Sequence, residues 1–378
     1  MKVLMISGDP AVLDPKSETG KRMEEYRQVL GGPASPSQGG LDILLCRGNI
    51  LNFFSGFFRG LKIMRQKGFD VITAQDVERS FLAWLLSKKF DIPWQMQIHT
   101  DIFSPYFAAG SFLNKIRVLL ARFLLPRANC VRVVSERIKN SILRTSNVLV
   151  DVQRPIITLP IFVDVEKIHN APVQTDLHEK YGKDKFIILM ASRITKEKNI
   201  GLATGVLEAV KAQVLQDLAQ RDGASRAIRQ QANMRVFAKL SAKAPLLLIV
   251  GDGPELESLK SKVKSKKLEE NVKFEPYTED LASYYKTCDL FLLTSNYEGY
   301  GRTLVEAAAA GAKIISSDVG IASEILEPEN IFKVADGEGL KAKLEGAISG
   351  KIKPAKLLST QTKEEYLKLY KKSLESCL

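Results

Sequence analysis

Two carboxylates eight positions apart, Glu298 and Glu306, bracket Gly299-Tyr300-Gly301-Arg302-Thr303. The apolar run Leu290-Phe291-Leu292-Leu293 leads into this loop, and a strong helix-forming stretch, closed by Gly311, follows it. A glycine-bearing loop of this kind presents backbone N–H groups at a helix N-terminus, where the macrodipole favours an anion. The glycines let a phosphate come close to the main chain. Neither carboxylate suits the phosphate itself, so both are expected to read uncharged groups, and sugar hydroxyls fit best. The pattern predicts a nucleotide-sugar site.

Further candidates stand at the ends of other apolar runs. After Phe186–Ala191 come Arg193 and Lys198, five apart on a loop that enters a helix. Arginine offers a planar donor fork and lysine a point charge, and a diphosphate uses both. Gly251-Asp252-Gly253-Pro254 follows the run Leu246–Val250. This turn has two readings, a structural turn with Pro254 opening the next helix or a backbone wrap around a nucleotide base. His99 follows Trp94–Ile98, at the end of a run where a doubly wound sheet would open. No CxxC, Cys/His or DxD-type cluster predicts a metal.

Positioning these residues requires alternating strands and helices. Strands are predicted at Val3–Ser7, Leu41–Cys46, Val71–Ala74, Trp94–Ile98 and Val131–Ser135. A second series falls at Phe186–Ala191, Pro245–Gly251, Asn271–Glu275, Leu290–Thr294, Lys313–Ser317 and Ile331–Val334. Helical stretches between them imply an α/β protein with two parallel sheets, each covered on both faces. At 378 residues the chain is long for one core. The expected domains are 1–163 and 164–360, with a basic helix over 361–378 turning back toward the first. The Gly31–Gly40 loop reads as flexible by composition, and the break at Arg221–Ser225 predicts a second helix in the 220–244 extension. A Rossmann dehydrogenase is the least expected reading, because Ser7-Gly8-Asp9-Pro10 lacks GxGxxG and puts proline where the loop should open a helix.

Apolar content of 45% and charged content of 26% describe an ordinary soluble globular protein. Four scattered cysteines give no disulfide framework, and a reducing cytoplasm is expected. Met1–Ser7, broken by Gly8-Asp9-Pro10, reads as too short for a secretory leader. No apolar run reaches the roughly 18 residues needed to span a bilayer. The net charge of +12 is unevenly placed. Residues 49–68 carry four basic and no acidic residues among Phe53, Phe54, Phe57 and Phe58, and 102–144 carry eight basic and one acidic. Two readings stand for residues 49–68 and 112–127: a Phe face packed on a sheet, or docking on an anionic membrane surface. No nucleic-acid module is present, so nucleic acid is not an expected partner.

Taken together, Ala191-Ser192-Arg193…Lys198-Asn199, Val250-Gly251-Asp252-Gly253-Pro254, Tyr284-Tyr285-Lys286…Cys288-Asp289-Leu290, Glu298…Glu306 and Gly320-Ile321-Ala322-Ser323-Glu324-Ile325 resemble the family 4 glycosyltransferases in order and spacing. The resemblance covers about residues 186–326. It implies the GT-B fold, two Rossmann-like domains facing a central cleft, and sugar transfer with retention of configuration and without a metal. It also implies roles. Glu298 would bind donor-sugar hydroxyls beside the backbone of Gly299, Tyr300, Gly301, Arg302 and Thr303. Glu306 would hold the ribose, and Arg193 and Lys198 the diphosphate, with Gly251 and Gly253 near the nucleotide. His99 stands where relatives carry an active-site histidine. Gly20 occupies the place of a phosphate-side glycine loop, and Lys198-Asn199 replaces the usual Lys-Gly. The donor would be a UDP-, GDP- or ADP-sugar and the acceptor a glycan, a lipid-linked sugar or a small molecule. A nucleotide-sugar epimerase or hydrolase, or a non-catalytic carbohydrate- or membrane-binding relative, are the alternatives.

Overall fold

The computed structural model describes residues 1–31, 40–48, 50–145, 154–221, 245–356 and 361–378. Most of the glycine-rich loop and the second helix expected in the 220–244 extension lie outside the described residues. The chain divides into two compact units, residues 1–162 with 361–378, and residues 163–360.

The first unit alternates β1 (Val3–Ser7), α1 (Glu18–Gly31), β2 (Leu41–Leu45), α2 (Ile50–Gln66), β3 (Val71–Gln75), α3 (Asp76–Phe90) and β4 (Trp94–Ile98). It continues through α4 (Pro105–Ala109), α5 (Phe112–Leu124), β5 (Cys130–Val133), α6 (Glu136–Thr145) and β6 (Ile156–Thr158). Its six strands are parallel, in the order β2-β1-β3-β4-β5-β6. Helices on both faces explain why β1 and β4 are buried at every position. The order reverses between β1 and β3, which makes their carboxyl ends a topological switch point, the usual ligand crevice of such sheets. Strand β6, only three residues long, had no sequence signal of its own.

The C-terminal helix, Lys363–Glu375, begins in a reciprocal capping box between Thr362 and Glu365. Its inward stripe, Tyr366, Tyr370 and Leu374, joins the core formed by Val3, Met5, Tyr26, Leu30 and Val71. The sulfurs of Cys130 on β5 and Cys377 lie side by side across a sequence separation of 247, a neighbourhood that their distant spacing in the sequence does not announce.

Helix α2 settles part of the phenylalanine question. Among its described side chains the buried positions are Gly56, Gly60 and Met64. A Cβ on Gly56 would lie 2.9 Å from Cys46 Sγ, and one on Gly60 2.8 Å from Leu86 Cδ1. The glycines therefore bring the helix backbone onto the core. Phe53 stacks on Phe81, whereas Phe54 and Phe58 are exposed. On α5 the buried residues are Asn114, Ala121 and Leu124, while Phe112, Leu113, Ile116, Leu119 and Phe123 face outward. Both helices pack on α3.

The second unit runs α7 (Val165–Asn170), α8 (Leu177–Tyr181), β7 (Ile187–Ala191), α9 (Ile200–Arg221), β8 (Leu246–Val250), α10 (Leu256–Ser265) and β9 (Val272–Glu275). It ends with α11 (Leu281–Thr287), β10 (Leu290–Leu293), α12 (Arg302–Ala309), β11 (Ile314–Ser317), α13 (Ala322–Ile325), β12 (Ile331–Phe332) and α14 (Gly337–Ile348). Its parallel order is β12-β11-β10-β7-β8-β9. Here the reversal falls between β7 and β10. The two loops that leave those strands carry Lys198 and Glu298.

Candidate nucleotide-sugar site

The switch point of the second unit joins the charged residues singled out in the sequence. Lys198 ends a 3-10 turn, Lys196–Lys198, and its Nζ donates to Glu298 Oε1; the two side chains are only 16% and 14% exposed. Ser295 Oγ also donates to Glu298 Oε1, at 2.8 Å. Thr294 Oγ1 donates to the carbonyls of Lys198 and Asn199 at 2.9 and 3.0 Å, tying the two loops together. Asn199 adopts the left-handed conformation, φ 47° and ψ 40°, and donates from Nδ2 to Asn296 Oδ1 at 3.0 Å. The departure from Lys-Gly is thus absorbed, because asparagine tolerates that region better than most side chains.

Gly301, at φ 86°, caps the start of α12. One turn into that helix, Glu306 is 13% exposed and accepts from Arg302 Nε at 2.7 Å and from the Tyr285 hydroxyl at 3.3 Å. Burial, then the adjacent Glu306, holds the Tyr285 phenol well above its ordinary range, so it remains a hydrogen-bond donor. Gly320 closes the far side: a Cβ there would collide with the Tyr300 carbonyl, and Ile321 N donates to that oxygen at 2.9 Å.

Arg193 is differently placed. It is 80% exposed and 3.7 Å from Glu197. A Cβ at Gly251 or Gly253 would collide with the carbonyls of Ser192 or Ile194, and Ile194 N donates to Asp252 O at 2.8 Å. Of the two readings of the Gly-Asp-Gly-Pro turn, the structural one accounts for both glycines, since they shape the loop that carries Arg193. An exposed arginine must lose rotamer freedom to bind, whereas Lys198 is already held. Arg193→Ala is expected to leave the melting temperature unchanged, because the side chain is 80% exposed, and a thermal melting curve checks this.

In the first unit His99 lines a pocket of about 190 Å³ at the carboxyl ends of β3 and β4, together with Asp76, Glu78, Arg79, Phe107 and Arg117. Burial, followed by the charges of Arg132 and Arg22, lowers the His99 pKa to about 3. His99 is therefore neutral near pH 7. The unfolded chain takes up a proton near pH 6.5 that the folded chain refuses until about pH 3. Stability should fall as pH drops through that window, and His99→Gln should remove about 1–2 kcal/mol of the loss between pH 6.5 and 5. Denaturant titrations of both proteins at the two pH values test this.

Gly20 is buried in α1, and a Cβ there would collide with the Asp14 carbonyl, so close packing against the preceding turn accounts for the glycine. Asp76 escaped the sequence reading, although its place directly after a central strand was the available signal. Among the described residues no group of three or more His, Cys, Asp or Glu could hold a metal ion.

Two parallel Rossmann-like units, one with a lysine–glutamate pair and a glycine-capped helix at its switch point, make up the described architecture. Two family models match the chain, "Glycosyl transferase 4-like domain" over residues 24–154 and "Glycosyl transferases group 1" over residues 229–364. The chain belongs to the GT-B glycosyltransferases of the family 4 type. It is 28% identical over 210 residues to N-acetyl-alpha-D-glucosaminyl L-malate synthase of Bacillus anthracis, covering 55% of this chain and 46% of that one. It is 25% identical over 275 residues to alpha-monoglucosyldiacylglycerol synthase of Streptococcus pneumoniae, covering 70% and 55%. The match thus spans about half the length of these curated relatives. The fold is shared with Anabaena HepE, solved with UDP and glucose (TM-score 0.63, 17% identity, 99% and 95% coverage). It is shared too with the lipopolysaccharide outer core galactosyltransferase WaaB (TM-score 0.66, 15% identity, 100% of both chains).

Proposed function

We propose that this chain transfers a sugar, with retention of configuration and without a metal, from a nucleotide-diphosphate sugar to a hydroxyl-bearing acceptor. The observation that carries the reading is the Lys198–Glu298 pair at the β7/β10 switch point, one loop away from the Arg302–Glu306 pair. A diphosphate arriving there takes Lys198 as counter-ion and releases Glu298 to accept from sugar hydroxyls. Glu306, held by Tyr285, accepts from the ribose. As the glycosidic bond breaks, negative charge grows on the diphosphate, and cations already in place stabilise it most at that moment. In this scheme the second unit binds the donor and the first, with His99, the acceptor; the departing diphosphate helps to take the acceptor proton.

UDP-glucose is the first donor to try, because the HepE structure holds UDP and glucose. Melting curves with UDP-, GDP- and ADP-sugars identify the donor by the shift each ligand gives. Anomeric NMR of the product then tests retention, and an inverted anomer would contradict it. A product that forms without acceptor would indicate an epimerase or hydrolase instead.

A membrane-surface acceptor is favoured by one specific observation, the outward apolar stripe of α5. Phe112 is 78% and Leu119 63% exposed, beside the exposed cations Lys115 and Arg122. Among the described residues no helix is long and apolar enough to cross a membrane. An amphipathic helix of this kind lies in the interface and is drawn to anionic lipid. Salt-sensitive co-sedimentation with phosphatidylglycerol vesicles is expected, and Phe112→Asp with Leu119→Asp should abolish it. Equal sedimentation of the double variant would contradict the role of α5.

A further inference from the structure

We infer that Cys130 and Cys377 form a thiol–disulfide latch that fastens the C-terminal helix to the first unit, closed by a small disulfide such as oxidised glutathione and reopened by its thiol. Their Cα atoms are 5.1 Å apart, inside the roughly 4.4–6.8 Å that a disulfide spans without backbone movement. Cys130 is fully buried on β5, and Cys377 is 6% exposed. The Ser373 carbonyl lies 3.6 Å from the first sulfur and 3.9 Å from the second, so both sit against the last turn of the helix.

The order of the chain gives such a tie something to do. Residues 163–360, the whole second unit, come between the first 162 residues and the C-terminal segment. The helix thus reaches its own unit by way of the other, and packing is what retains it there. At 13 residues it has a length that is marginal for an isolated helix in water. It therefore depends on the stripe of Tyr366, Tyr370 and Leu374 that it buries. Its departure would take the Tyr366 hydroxyl and the Tyr370 ring away from Arg132, leaving a cation without neighbours that offset the cost of its burial. Arg132 stands two residues along β5 from Cys130. A covalent tie at Cys130 opposes that departure where it costs most.

The two sulfurs differ in access. Cys377 lies two residues beyond the helix, next to Leu378, which is 69% exposed, and chain ends open most readily. Cys130 is enclosed by β4, where Gln95 Nε2 points at its sulfur from 3.6 Å. Exchange accordingly starts at Cys377. Its thiolate attacks one sulfur of oxidised glutathione, forms a mixed disulfide and releases one glutathione thiolate, which takes the proton that Cys377 lost. With the helix end docked, Cys130 gives up its proton and attacks Cys377 Sγ, and the second glutathione leaves as the thiol. Two protein thiols are oxidised to one disulfide, and one glutathione disulfide is reduced to two thiols. Cys46 and Cys288 are free of this pair. Burial raises both of their thiols, that of Cys288 to about 12, so neither competes as a thiolate near neutral pH.

The test equilibrates the full chain in mixtures of reduced and oxidised glutathione, traps free thiols with N-ethylmaleimide, and reads peptides by mass spectrometry beside a melting curve. A Cys130–Cys377 cross-linked peptide should accumulate as oxidised glutathione rises, and dithiothreitol should reverse it. Closing should raise the melting temperature of the first unit by roughly 5–15 °C and slow proteolytic release of the C-terminal helix tenfold or more. Cys377→Ser and Cys377→Ala should both melt like the reduced parent and ignore the glutathione ratio. A glutathione adduct on Cys377 without the cross-link overturns the inference, as does a cross-link that leaves melting and proteolysis unchanged. None of these readouts needs a nucleotide sugar, so the latch stands or falls separately from the glycosyltransferase reading.

Discussion

Lys198→Ala is expected to lower kcat for sugar transfer about a hundred- to a thousandfold, the usual loss when one preorganised group facing developing charge is removed. The lysine is 16% exposed and held against Glu298, and the proposed function puts the growing phosphate charge beside it. Removing it also leaves the Glu298 carboxylate with Ser295 as its remaining side-chain donor at this site. A stability loss of about 1–3 kcal/mol should therefore accompany the kinetic one. Glu298→Gln keeps the shape and removes the charge. It should cost as much in kcat while leaving UDP binding nearly intact, because in the proposed scheme Glu298 addresses the sugar and not the diphosphate. The two substitutions act on one contact, so the double variant should lose far less than the sum of the singles. Independent, additive losses would show that the pair does not function as a unit.

Tyr370→Ala should destabilise the first unit by about 3–5 kcal/mol, the range for deleting a large buried aromatic. Tyr370 is fully buried, its ring stacks on Tyr26 with centroids 3.8 Å apart, and Arg132 lies 5.2 Å from its centroid. Arg132 is 4% exposed and donates to Gln97 Oε1 at 3.2 Å and to the Tyr366 hydroxyl at 3.1 Å. Its described neighbours here are amide, phenols and ring faces, so the cation depends on aromatic packing and neutral acceptors. Tyr370 and Tyr366 both come from the C-terminal helix, so that helix supplies one wall of the site that holds the buried charge. With two compact units the unfolding curve need not be one transition. The substitution should move the transition of the unit made from residues 1–162 and 361–378. The transition of the other unit should stay unchanged.

Much of this was legible in the sequence for a physical reason. Parallel strands buried on both faces are continuous apolar runs, so Val3–Ser7 and Leu246–Val250 announced themselves, and a glycine after each marked a carboxyl end. Boundaries shifted by a residue or two, as when the predicted strand Val131–Ser135 became Cys130–Val133. What stayed hidden depends on contacts between distant segments. Cys130 meets Cys377, and Arg132 meets Tyr366, through packing that no local pattern encodes. The phenylalanines of α2 misled in part because glycines, rather than aromatics, formed its inward stripe. In the site, the residue types of Lys198 and Glu298 were readable, but their direct pairing follows from the order of β7 and β10. Asp76 was overlooked because a single aspartate between a strand and a helix looks like a cap until its pocket is seen.

The most direct test of the account is calorimetric titration of the full chain with UDP-glucose, GDP-mannose and ADP-glucose, repeated on Lys198→Ala and Glu298→Gln. One nucleotide sugar should bind with one-to-one stoichiometry. Lys198→Ala should weaken that donor and its free nucleoside diphosphate alike, while Glu298→Gln should weaken the donor and spare the diphosphate. Binding of all three donors unaltered by either substitution, or binding of none, would contradict it.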